Sequence, residues 1–131
     1  MDDLHTPDRD TAARIVREVD FEHRLAGGYV HERAGVMMLS LYSVEEVFAL
    51  LCSACPQIDI GQLERWLRTT IGDSELADRV RDIAAQDESR QDLLSRVRDA
   101  IGLRLVQCRQ ALATESVNAL RASCGRCGYP P

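Results

Sequence analysis

Lysine is absent from this chain: all 16 of its basic side chains are arginine. Such usage is the mark of a GC-rich genome before it is a sign of selection for bidentate contacts to carboxylate or phosphate. No apolar run approaches the roughly 18 residues that a bilayer crossing requires. The start, Met1-Asp-Asp-Leu-His-Thr-Pro-Asp8, is acidic and polar, the opposite of a secretory signal. The expected compartment is therefore the cytoplasm, with no membrane partner. In that reducing setting closely spaced cysteines point to metal or catalysis before disulfides. Also missing are HExxH, GxGxxG, P-loop and GxSxG signatures, internal repeats and low-complexity tracts. No constellation of nucleophile, base and oxyanion donors appears, so a non-enzymatic role is expected ahead of an enzymatic one.

What is present is ordinary globular material. At 131 residues, 45% apolar and 28% charged, the chain suits one domain that buries its own core. Residues 1–123 are expected to form that domain, and 124–131 a short tail. The net charge of −5 is uneven: residues 1–89 carry −9 and residues 90–131 carry +4. A basic end beside an acidic body most simply means that one docks on the other. Nucleic-acid binding usually needs a larger positive excess.

Local signals predict a mainly α fold, a compact bundle of about five helices with a short β-hairpin near 29–42. Thr6-Pro7-Asp8 is a helix start, and Ala12, Ile15, Val16 and Val19 share one helical face. Gly27-Gly28 is the expected stop, giving a helix over about 7–25. Between Tyr29 and Tyr42 the run Val36-Met-Met-Leu-Ser-Leu-Tyr42 is read as a buried strand paired with 29–33. Buried helix is the alternative, because short apolar runs lack a deciding period. Met37 and Met38 are assigned to core. Ser43-Val-Glu-Glu46 is a capping box, and Pro56 ends the helix it starts, placing Cys52 and Cys55 in the last turn. Asp59 caps a helix with Leu63, Trp66, Leu67 and Ile71 on one stripe. Gly72 closes it, and Asp73 caps the next, which holds Leu76, Ala77, Val80 and Ile83. Ser89 starts a final helix whose Leu94, Val97, Ile101, Leu105, Cys108 and Leu112 step by three and four, reaching about Ser123. Trp66 is read as a packing anchor, and His5, His23 and His31 as surface or satisfied side chains.

The sharpest chemical signal is two Cys-x-x-Cys pairs, Cys52-Ser-Ala-Cys55 and Cys124-Gly-Arg-Cys127. Together they can offer four thiolates to one structural zinc. Gly128, following the second pair, suits a metal knuckle whose backbone amides turn inward to the sulfurs. Against this stand two other readings. Buried or helix-end cysteines serve as ordinary small side chains, and a redox dithiol is favoured at a helix N-terminus, whereas Cys52 and Cys55 fall at a C-terminus.

The stretch Leu63-Glu-Arg-Trp66-Leu67-Arg68-Thr-Thr-Ile71-Gly72-Asp73-Ser-Glu-Leu76-Ala77, preceded by Ser43-Val-Glu-Glu46, resembles a small uncharacterised prokaryotic helical domain family. The shared feature is a Trp-Ile/Leu-Arg turn meeting an Ile/Leu-Gly-Asp-x-x-Leu-Ala junction, over residues 40–85. The resemblance implies the helical hairpin and brings no established activity with it. The expected function is a binding module (adaptor, inhibitor or accessory subunit) acting through a protein partner or self-association and stabilised by zinc. The alternative is a zinc-containing nucleic-acid regulator using the 59–85 hairpin, with Arg79 and Arg81 in its second helix. A thiol–disulfide redox protein comes third.

Overall fold

Four side chains at helix starts set the frame. Asp8, Ser43, Asp59 and Asp73 each accept a hydrogen bond from the backbone N–H three residues on, at 2.7, 3.2, 2.9 and 3.1 Å. Each satisfies an amide that the first turn leaves without a partner. The helices so opened are α1 (Arg9–Val16), α2 (Val44–Leu51), α3 (Ile60–Trp66) and α4 (Ser74–Ala84). Ser89 caps α5 (Arg90–Cys127) through the Asp92 N–H at 3.2 Å. This computed structural model describes residues 4–86 and 88–127, the side chains of 114–127 excepted. The 124–131 tail, with Cys124 and Cys127, therefore lies outside the residues whose side chains are described.

The architecture is mainly α with a three-stranded antiparallel sheet in the order β2-β1-β3. Strands β1 (Leu25–His31) and β2 (Gly35–Leu41) form the hairpin, and β3 is the two-residue Pro56–Gln57. Expectation and structure agree on the hairpin, on the capping box and on the Asp59 and Asp73 helices. In the capping box Glu46 reaches back one residue further than the usual geometry and accepts from the Tyr42 N–H at 2.6 Å.

Three expectations are corrected. The first helix ends at Val16, and the chain turns extended at Arg17. Asp20 then opens a 3-10 turn over Phe21–His23, whose closing residue Arg24 leads into β1. The Val19 N–H is taken by the Tyr42 carbonyl at 2.7 Å, so a contact with the far end of the hairpin overrides the local helical period. Gly27-Gly28 lies inside β1 and stops nothing. Met37 and Met38 are exposed rather than core. Cys55 lies beyond α2, which ends at Leu51 with Cys52 as its cap.

Helix α3 runs on into a π-helical turn, Leu67–Ile71, which Gly72 closes at φ 83°, a left-handed conformation that suits glycine. One apolar cluster unites the molecule: Ala12 and Ile15 of α1, Leu25 and Leu41 of the hairpin, Val44 and Val47 of α2, Leu63 and Trp66 of α3, Leu76 and Val80 of α4, and Val97, Ile101, Leu105 and Cys108 of α5. Trp66 is the expected anchor, its indole N–H donating to the His23 carbonyl at 2.7 Å.

The hairpin strands approach closely at Gly28, where an added Cβ would lie 2.6 Å from the Met37 carbonyl oxygen. Gly28→Ala is therefore expected to destabilise the protein by about 1–3 kcal/mol. Urea denaturation checks this, and an unchanged midpoint would show that the strands part without cost.

Candidate functional site

Strand β2 is apolar over most of its length and exposed at every residue but Leu41. Alternation in the register separates two faces. Tyr29, Met37, Leu39 and Leu41 share the side that looks toward α2, because a Cβ on Gly27 there would meet Leu50 at 2.9 Å. Val30, Val36 and Met38 share the other side. On a typical half-buried strand only one face would be apolar. Here Met38 is 69% exposed, Val36 57%, and Met37 and Leu39 39% each. No strand pairs with the outer edge of β2 among the described residues.

Between this edge and α2 runs a groove of about 420 Å³, lined by Tyr29, Leu39, Leu41, Ala49 and Leu50, with Ser40, Glu46 and Ser53 at its margins. Two of its polar groups are already engaged: Glu46 accepts from the Tyr42 N–H, and the Ser53 hydroxyl donates to the Leu50 carbonyl at 2.6 Å. What remains is an apolar trough beside unpaired backbone groups. Such a surface suits an added strand.

The larger cleft, about 630 Å³, is lined by Arg17, Asp20, His23, Thr69 and Thr70. His23 Nδ1 lies 2.5 Å from Asp20 Oδ1, a spacing that suggests acid–base chemistry. Yet the same oxygen accepts the His23 backbone N–H and caps the 3-10 turn. These bonds, first of all that from the His23 ring, hold the Asp20 carboxyl below its ordinary value. The Thr69 hydroxyl donates to the Arg65 carbonyl at 2.8 Å. Asp20 and Thr69 here serve local backbone geometry.

Of the cysteines expected to bind metal, Cys52 and Cys55 are both exposed at the end of α2. The Cys55 carbonyl accepts from the Val30 N–H at 3.1 Å, which ties the bend to the hairpin. Cys124 and Cys127 lie outside the described side chains. Among the described residues no group of three or more His, Cys, Asp or Glu gathers as metal ligands do. Cys108 is a different case. Burial in α5 pushes its thiol up to about 11, against an opposing pull from Arg104.

One constellation escaped the sequence reading. Arg104 is buried, and its guanidinium uses all five of its N–H donors. Nε donates to Asp73 Oδ2 at 2.9 Å and Nη2 to Asp73 Oδ1 at 3.2 Å. Nη2 also donates to Glu75 Oε1 at 2.8 Å, and Nη1 to the His5 carbonyl at 2.6 Å and Gln107 Oε1 at 3.1 Å. Glu75 in turn accepts the His5 N–H at 2.7 Å and faces its ring nitrogen at 2.6 Å. Burial acts to raise Glu75, but the bonds from His5 and Arg104 outweigh it and leave the carboxyl below its ordinary value. A signal existed: Arg104 stands three residues after Ile101 and four before Cys108, within the apolar stripe. A charge on a core stripe must find a partner.

No protein-family model, curated protein or solved structure matches the chain. No helix among the described residues is long and apolar enough to cross a membrane.

Replacing Arg104 by Met leaves Asp73 buried without its cation and is expected to cost about 3–5 kcal/mol of stability in urea denaturation. A loss under about 1 kcal/mol would show that the pair is dispensable. Because the folded state lowers the Glu75 value, its contribution is complete above the unfolded value and disappears as pH falls through the folded one. Glu75→Gln should therefore flatten the decline of Tm between about pH 6 and pH 3. Alkylation followed by peptide mapping should label Cys52 and Cys55 in the folded protein and Cys108 only on unfolding, since the thiolate is the reactive form.

Proposed function

We propose that this protein is a non-enzymatic binding module that acts through protein–protein contacts made by its β-hairpin. The observation that supports it is the uncovered apolar strand β2, exposed on both faces and bordered by a groove against α2. Exposed apolar surface of this kind is costly to keep in water and marks interaction sites. The described part of α5, by contrast, is largely committed to the core through Val97, Ile101, Leu105 and Cys108, leaving Leu103 and Val106 as its exposed large apolar residues. Three arginines of the basic C-terminal segment are also engaged within the fold: Arg90 donates to the Ile58 carbonyl at 2.9 Å, Arg96 pairs with Glu88, and Arg104 with Asp73.

A zinc clasp belongs to this reading. Cys52 and Cys55 are exposed and three residues apart, and Cys124 and Cys127 would supply the other two sulfurs. The site would be structural, with sulfur at all four positions and none left for substrate. The nucleic-acid alternative has less support, because Arg68 and Arg81 of the 59–85 hairpin both pair with Asp78, at 2.8 and 3.3 Å.

Two measurements test the reading. A photo-reactive residue in place of Val36, expressed in the native cell, should give a discrete adduct that the same residue in place of Asp99 does not. No adduct, or the same set from both positions, would sink the hairpin as a contact surface. Protein purified without chelator should hold about one zinc per chain and lose it on Cys52→Ser; a stable metal-free wild type removes the clasp.

A further inference from the structure

Strand β2 lacks cross-strand side chains over its middle. Opposite Met38 on β1 stands Gly28, and opposite Leu39 stands Gly27. Directly opposed side chains are the unit of sheet stabilisation, and these two apolar residues have none on the β1 side. The usual protections of an edge are missing as well. From Ala34 to Val44 there is neither a charge nor a proline, and β2 pairs with β1 in unbroken register from Gly35 to Leu41, with no bulge. Natural edges exposed to solvent normally carry such devices against strand addition.

Resting on the binding-module reading, we propose that the occupant of this edge is β2 of a second copy of the chain, paired antiparallel about a two-fold axis at Met38. That register sets Met38 opposite Met38 of the second copy, Met37 opposite Leu39, Val36 opposite Ser40 and Gly35 opposite Leu41. Met38 and Leu39 thereby gain the opposed side chains that Gly28 and Gly27 do not supply. Every pair is uncharged, so two molecules of net charge −5 meet along the stretch where repulsion is least. At the flanks this register sets Arg33 of the hairpin tip opposite Ser43 of the second copy, two residues before Glu45, which is exposed and lies 3.8 Å from Arg109 of its own chain. The contact is isologous and closes on itself. It joins two three-stranded sheets into one, whose outer edges include the two-residue β3, and short edges resist further growth.

Sedimentation across a concentration series tests the proposal. The wild type is expected to dimerise below about 100 μM. Met38→Lys and Met38→Glu each place like charges against one another across the axis and should each weaken the dimer at least about 100-fold. Mixed together, the two variants should recover dimer to within about tenfold of wild type. Val36→Arg and Val36→Glu provide the control: position 36 does not face itself, so mixing them should give no rescue. Circular dichroism confirms that each variant remains folded, as expected at positions this exposed. A wild type monomeric at about 100 μM, a dimer indifferent to both Met38 variants, or equal rescue at position 36 would overturn the proposal. A monomeric wild type that still cross-links from position 36 to a different protein overturns the dimer and leaves the binding-module reading standing. A monomer that gives no adduct overturns both.

Discussion

The contact between Arg104 and Asp73 is the constraint on which the rest of the molecule depends. Asp73 both caps α4 and receives the guanidinium of α5, so one carboxylate fixes the start of one helix and the rotation of another. Through Nη1 the same arginine holds the carbonyl of His5, and Gln107 beside it donates to the Leu4 carbonyl at 2.8 Å. The N-terminal segment is thereby pinned beside α5 and α4. A buried ion pair is weak grounds for net stability against an apolar replacement. Its stronger effect is on specificity, because a buried arginine with five donors accepts few alternative arrangements.

That hub is built from α4, α5 and the N-terminal segment, and it and the hairpin follow different rules. Around Arg104 each donor has its acceptor, and the apolar residues close by, Ile101, Leu105 and Cys108, are buried. In the hairpin the backbone is paired along one side of β2 while its side chains, Leu41 excepted, are exposed. Gly27 and Gly28 link these facts. Without side chains they let the strands and Leu50 of α2 come close, and they leave Met38 and Leu39 without opposed neighbours. The same substitution pattern that lets the sheet dock on the body exposes its outer strand.

The charge distribution gains a physical meaning from this arrangement. The acidic body and basic end, visible in the composition, correspond to arginines of α5 reaching Asp73, Glu75 and Glu88, and Arg109 approaching Glu45 at 3.8 Å. Part of the positive charge of α5 is thus used within the fold, through Arg96 and Arg104.

The sequence by itself determined what depends on neighbours three or four residues apart. Ser43, Asp59, Asp73 and Ser89 each open a helix by bonding the amide three residues on, and Gly72 ends one because it alone of its neighbours takes a left-handed turn without strain. The stripe from Val97 to Cys108 is likewise readable from its spacing. Only tertiary structure decided which apolar residues are covered and which charge is buried. Met37 and Met38 look like core by composition, but both lie on a strand whose outer edge nothing pairs among the described residues, and Met38 faces Gly28 of β1. Arg104 looks like a surface residue by type, but two of its acceptors, Asp73 and the His5 carbonyl, lie 31 and 99 positions away in the chain. Burial is a property of distant pairs, and a local pattern does not contain it.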